Sequence, residues 1–205
     1  MKKISIVFLI MTMVLLLGSV PAYSDRCPDG SPPAGCSNWT GLVLFHVPIV
    51  MDDGDTCLIN ISLCKRCCSG YPEYYLESFF FDDSTCYSTH GLNLNGSSFH
   101  NQIANLFLNT FSLCDSTPTI LPCPGNGTVF ARISFAPCYR WARTLGGTYT
   151  LTGLVACSDS IGCSQQYKVC WNGTNFEWTY IGSSYSALCP PPSPGVTCFG
   201  ICRED

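Results

Sequence analysis

The chain has 205 residues and a formal net charge of −4, with 12% charged residues against 46% hydrophobic ones. Its ten basic residues are scattered, which speaks against nucleic acid and anionic membrane surfaces, since both demand clustered Lys and Arg. Its sixteen cysteines, an even number, set it apart from cytosolic chains and point to disulfide crosslinking in an oxidising compartment.

The chain opens Met1-Lys2-Lys3, runs almost wholly apolar through residues 4–20, and continues Pro21-Ala22-Tyr23-Ser24. A positive start, an apolar middle and the small-x-small pair Ala22 and Ser24 make residues 1–24 a signal peptide, cleaved after Ser24. The rival reading is an uncleaved anchor, because the apolar stretch approaches the length of a membrane span. No basic stop-transfer cluster follows it, and Pro21 breaks the helix where cleavage needs extended chain. No later run is long and apolar enough for a span or a lipid-anchor tail. The expected mature chain is therefore exported, extracellular or periplasmic according to the source, with no membrane span after cleavage.

Residues 25–37 form a Pro- and Gly-rich lead that Cys27 and Cys36 tie down. Residues 41–50 are apolar but contain Pro48, which confines them to an edge strand. Asp52-Asp53-Gly54-Asp55 reads as a turn. Residues 57–64 alternate, with Ile59, Ile61 and Leu63 on one face and Leu58, Asn60 and Ser62 on the other, the pattern of a half-buried strand. Residues 73–81 are rich in Tyr and Phe and extended. Caps at Asn95-Gly96-Ser97-Ser98 precede a helix over 99–112, where Ile103, Leu106, Phe107 and Phe111 recur at helical spacing. A Pro/Gly loop over 117–128 separates this half from an all-β second half. There, 129–135 and 148–155 alternate, and Tyr167, Val169 and Trp171 lead into Asn172-Gly173 before Phe176, Trp178 and Tyr180. Asn-Gly between alternating runs predicts a hairpin with Trp171 opposite Thr174. The tail from Cys189 to Cys202 is irregular and held by its cysteines.

All sixteen cysteines are disulfide candidates: Cys27, Cys36, Cys57, Cys64, Cys67, Cys68, Cys86, Cys114, Cys123, Cys138, Cys157, Cys163, Cys170, Cys189, Cys198 and Cys202. Cys64-x-x-Cys67-Cys68 has the spacing of a redox motif or half a zinc site, but no convincing helix start follows it and the only near match for a second pair is Cys198-x3-Cys202. Cys67 and Cys68 should take different partners, because adjacent cysteines bridge each other only with strain. Ile61-Ser62-Leu63-Cys64 followed by Arg66 echoes Ile133-Ser134-Phe135 with Cys138 and Arg140. A duplicated unit keeping its own crosslink would pair Cys64 or a neighbour with Cys86, and Cys138 with Cys157.

Candidate chemistry is sparse. Asp52-Asp53-Gly54-Asp55 has part of a calcium loop but lacks its closing acid, and turn chemistry explains it equally. His46, His90 and His100 are scattered, and neither a Gly-x-Ser-x-Gly elbow nor a His-Glu-x-x-His motif is present. Glu73, Glu77 and Glu177 read as solvated residues. Five sequons, at Asn38, Asn60, Asn95, Asn126 and Asn172, carry glycans only in a eukaryotic secretory route. Trp171, Phe176, Trp178 and Tyr180 form either a binding patch for a protein or glycan, or the core face of their hairpin.

The sequence therefore predicts a mainly β, disulfide-rich secreted domain of antiparallel strands and hairpins with one amphipathic helix. Its lobes are 25–125, with the helix, and 126–205, with the hairpins and the cysteine-tied tail, or one domain holding both. The expected role is binding an extracellular protein or glycan, with no catalytic residues, metal or cofactor assigned. A small hydrolase without a recognisable motif is the alternative, as is a protease inhibitor acting through the 189–198 loop.

Overall fold

The computed structural model describes residues 27–28, 30–83, 85–110, 114, 122–123, 129–146, 149–158, 160–186, 189 and 198–203. The signal segment and most of the 117–128 and 189–198 loops lie outside these residues. Within them the fold is mainly β and disulfide-rich, with nine strands in one sheet and two helices.

The first three strands form an antiparallel meander: β1 (Thr40–Val50), β2 (Thr56–Cys68) and β3 (Tyr71–Phe81). β1 pairs only with β2, as Pro48 required. A bulge between Leu44 and Val47 puts His46 in the left-handed region at φ +53°. In β2, Ile59, Ile61 and Leu63 are fully buried while Leu58 faces solvent, but Ser62 is buried as well, so the alternation holds only up to Ile61, just before the register shift between Ser62 and Leu63. β3 shows no alternation: every residue from Pro72 to Phe81 is buried, because both faces of this central strand are covered.

A short helix, α1 (Cys86–His90), follows β3. A single turn is too brief to leave a periodic signal, and no residue pattern announces it. The amphipathic helix α2 (Ser97–Thr110) begins two residues earlier than its apolar spacing suggested, and the expected end at 111–112 lies outside the described residues. It buries Phe99, His100, Ile103, Ala104, Phe107 and Leu108. Phe107 packs on Tyr74 and Phe99 on Phe79, with ring centroids 5.6 and 5.8 Å apart. Gln102 of α2 also reaches the open edge of β1, accepting from the Val50 N–H at 2.6 Å and donating to its carbonyl at 3.1 Å. That satisfies groups which an edge strand otherwise leaves to water or to another chain.

The remaining strands are β4 (Val129–Phe135), β5 (Tyr139–Gly146), β6 (Tyr149–Ala156), β7 (Cys163–Trp171), β8 (Phe176–Tyr185) and β9 (Cys198–Phe199). Opposite its β2 edge, β3 pairs with β4 in parallel over Glu73–Leu76 and with β6 antiparallel over Ser78–Phe80. The sheet forks there into a β4-β7-β8 wing and a β6-β5-β9 wing. Glu77 is the extra residue of a bulge at the fork, since Ser62 pairs with Ser78 and Leu63 with Leu76. The Tyr139 hydroxyl stitches the fork, donating to the Leu76 carbonyl at 2.5 Å and accepting from the Ala136 N–H at 3.1 Å. Complete burial drives the Tyr139 phenol far above its ordinary pKa, so it remains a donor.

Eight disulfides use all sixteen cysteines. Cys67 bridges Cys114 while Cys68 bridges Cys36, so the adjacent pair diverges as expected. The duplication pairing is overturned. Cys64 takes Cys27 and Cys86 takes Cys57; Cys138 takes Cys189 and Cys157 takes Cys198. The two strands of the echo also occupy different places, β2 beside β1 and β3, β4 between β3 and β7. Cysteines up to Cys114 bridge only one another, as do those from Cys123 onward, and the shared sheet joins the two sets.

Candidate functional site

Across the face of the sheet opposite α2, the strand register builds a ladder. Arg66 of β2 pairs with Glu73 of β3, Glu73 with Arg132 of β4, and Arg132 with Gln166 of β7. Residues in register point to one face, so these four side chains form a row across four strands. Arg66 donates to Glu73 Oε2 through Nε and Nη2, each at 2.7 Å, and Arg132 Nη1 donates to Oε1 at 2.9 Å. The Arg66 guanidinium lies 4.3 Å over the Trp39 ring, which extends the row beyond β2.

The row is graded in exposure. The side chains of Glu73 and Arg66 are 8% and 11% exposed, that of Arg132 44%. Two guanidinium groups and one carboxylate leave one positive charge in excess, and the accessible part of it sits on Arg132. Glu73 and Glu77 are both buried, which corrects their reading as solvated residues. A carboxylate inside an aromatic strand looks like a solvent-facing position until the neighbouring strands, with their arginines, are laid beside it.

One pleat further along lies a second row. Cys68 pairs with Tyr71 and Phe130 with Lys168, and Tyr71 meets Phe130 edge-on at 6.0 Å. Phe130 is 43% exposed. The Cys36–Cys68 bridge brings the N-terminal lead, with Pro33, over this end of the sheet. Between the two rows and the lead is a cavity of about 430 Å³, lined by Pro33, Arg66, Tyr71, Phe130, Arg132 and Gln166 among others. It offers a cation, an amide and aromatic faces, a set suited to binding. Both oxygens of Glu73 are held by arginine, so this carboxylate anchors the row rather than serving as an acid or base.

The hairpin aromatics lie elsewhere. Trp171 meets Phe176 edge-on at 4.9 Å and remains 37% exposed. Trp178 and Tyr180 pack against buried Tyr167 at 5.4 and 5.8 Å. Trp178 Nε1 donates to Asn105 of α2 at 3.0 Å, and the Arg203 guanidinium covers Tyr180 at 4.0 Å. These side chains close the end of the core over α2. The turn also differs from expectation: Trp171 pairs with Phe176, not Thr174. Asn172 Oδ1 accepts from the N–H groups of Thr174 and Asn175, drawing both into a four-residue loop with Gly173 at φ +100°.

Each histidine has its own setting. His46 Nδ1 lies 2.6 Å from Asp82 Oδ2; Asp82 Oδ1 accepts from Asn60, and Asn60 accepts from the His46 N–H, which closes a ring. The His46 side chain is 74% exposed. His100 is buried, where Gln165 Nε2 donates to its Nδ1 at 2.7 Å. His90 Nδ1 lies 2.7 Å from Asp53 and 3.3 Å from Asp55, so the acidic turn gains an imidazole from α1. These three groups come close enough to share one cation, but the two aspartates are exposed, His90 is half-buried, and the carboxylates already pair with the imidazole. Asp53 is held below the ordinary carboxylate range, chiefly by the His90 hydrogen bond and next by the Asp55 backbone N–H.

No family model, curated protein or solved structure matches this chain. Arg132 did stand in the sequence as a polar member of the alternating run 129–135, whereas Arg66 stood just beyond the alternating run 57–64. Alternation tells only that Arg132 faces away from the core, not which partner it meets.

Proposed function

We propose that the protein is an exported binding module that takes a ligand bearing an anionic group on its outer sheet face, at Arg132. The observation that carries this reading is the Arg66–Glu73–Arg132 row, whose excess positive charge is presented on the floor of the cavity. Arg66 and Glu73 hold the row in place, and the exposed guanidinium has the planar fork that pairs with a carboxylate through two parallel hydrogen bonds. Export is supported by the signal-like residues 1–24 and by eight bridges of the kind that persist in oxidising compartments. Among the described residues no helix is long and apolar enough to cross a membrane.

Binding is tested by retention of the oxidised, signal-free protein on matrices carrying polygalacturonate or polyglutamate, against uncharged matrices. Arg132→Gln should abolish retention, whereas Arg143→Gln, the same charge change at an exposed position of β5, should preserve it. Equal retention of the two variants would sink the reading. N-terminal sequencing of secreted material should find a start at Asp25.

A further inference from the structure

We infer that the ligand of the outer face is an acidic pyranose, a sugar ring that carries a carboxylate, with the ring on Phe130 and Tyr71 and the carboxylate on Arg132. This rests on the reading of that face as an anion site and goes on to name the ligand class.

The two rows supply complementary chemistry at the spacing such a unit needs. Phe130 and Arg132 are two residues apart on β4, hence on one face and roughly 6–7 Å apart along the strand. A six-membered ring with its exocyclic carboxylate extends over about the same length. Phe130 offers an exposed aromatic face beside a cation, and an aromatic face packs against the C–H side of a pyranose. The Gln166 amide, in register with Arg132, makes no side-chain hydrogen bond among the described residues and supplies both a donor and an acceptor for hydroxyl groups. The charged groups lining the cavity, Arg66, Arg132 and Glu73, sum to a single positive charge, and Lys168 stands in register with Phe130 on the same face, so the surface favours an anionic ligand.

An acidic peptide fits this surface less well. An extended peptide gains its affinity by adding main-chain hydrogen bonds to an open sheet edge. Here the cavity lies on the face of β2, β3, β4 and β7, where the ladders already occupy the strand backbones. Recognition must come from side chains alone, and aromatic, guanidinium and amide groups are a set for rings and hydroxyls.

Calorimetric titration of the oxidised protein tests this with short galacturonate, glucuronate and mannuronate oligomers and sialyllactose. Each is paired with its neutral counterpart, and tetraglutamate serves as the peptide arm. At least one acidic sugar should bind, with its neutral counterpart and tetraglutamate each weaker by about ten-fold or more, since the neutral sugar lacks the carboxylate and the peptide lacks the ring and hydroxyls. Phe130→Ala and Arg132→Lys, with unchanged unfolding midpoints, should each weaken binding by roughly ten-fold; the lysine keeps the charge but loses the fork. Tetraglutamate binding as tightly as the sugars, or Phe130→Ala binding like wild type, would overturn the sugar assignment and leave the anion site standing. No binding of any anion would overturn both.

Discussion

Arg132 donates to Glu73 at 2.9 Å across the parallel junction of β3 and β4. Glu73 belongs to the stretch whose cysteines bridge among themselves up to Cys114, and Arg132 to the stretch that does so from Cys123. The contact thus ties together two separately crosslinked sets of strands, at the place where the ligand is proposed to bind.

Removing the Glu73 charge should therefore cost stability more than removing that of Arg132. Glu73→Gln leaves the nearly buried Arg66 cation without its counter-ion, and an uncompensated buried charge costs about 3 kcal/mol or more. Arg132→Gln removes a half-exposed partner and should cost about 1 kcal/mol or less. Urea unfolding of the oxidised proteins gives both values, and a reversed order would contradict the graded burial of the row.

Peptide mapping under non-reducing conditions should recover Cys67–Cys114 and Cys36–Cys68, with no free thiol. It should find no peptide linking a cysteine up to Cys114 with one from Cys123 onward. A Cys64–Cys86 peptide would restore the duplication pairing and count against the arrangement of β2.

Acid should weaken the Asp53–His90 contact in a defined window. The folded-state pKa of Asp53 is depressed below its unfolded value of about 4. Its contribution to stability is then complete above the unfolded value and is lost as pH falls through the lower, folded one. Between pH 5 and 2, Asp53→Asn should flatten part of the fall in unfolding midpoint, and His90→Gln should do the same. Parallel curves for wild type and variants would show that the contact is absent in solution.

Gly153 marks where β6 lies against β3. A Cβ there would meet the Phe79 carbonyl oxygen at 2.1 Å and Phe80 Cα at 2.5 Å, backbone atoms that cannot swing aside. Gly153→Ala should lower stability by roughly 2–3 kcal/mol through forced displacement of the strand. Gly182 of β8 has nothing within 4 Å of the same position, so Gly182→Ala should stay within about 0.5 kcal/mol of wild type. Equal effects from the two alanines would mean the fork is wrongly drawn.

Local features were legible because each is encoded by neighbouring residues. Ile59, Ile61 and Leu63 announced the buried face of β2 by alternation, and Ile103 and Phe107 announced α2 by helical spacing. Pro48 marked an edge strand through its missing N–H. The even cysteine count anticipated full pairing, and the adjacency of Cys67 and Cys68 anticipated their separate partners. Asn172-Gly173 placed the hairpin, though not its register, because the Asn172 side chain draws two further residues into the loop.

The candidate site could not be read in this way. Arg66 and Glu73 lie seven residues apart on one hairpin, but Arg132 and Gln166 are far from them in the chain, and the four carry no shared motif. They meet only because β3 pairs antiparallel with β2 on one side and parallel with β4 on the other, and because β7 then adds to β4. Alternation fixes which face of a strand a side chain occupies, since that is a property of one extended backbone. It carries no information about which strand lies alongside or in what register. That choice rests on long-range packing and bridge closure, and here it decided the cysteine partners, the burial of Glu73 and the assembly of the ladder.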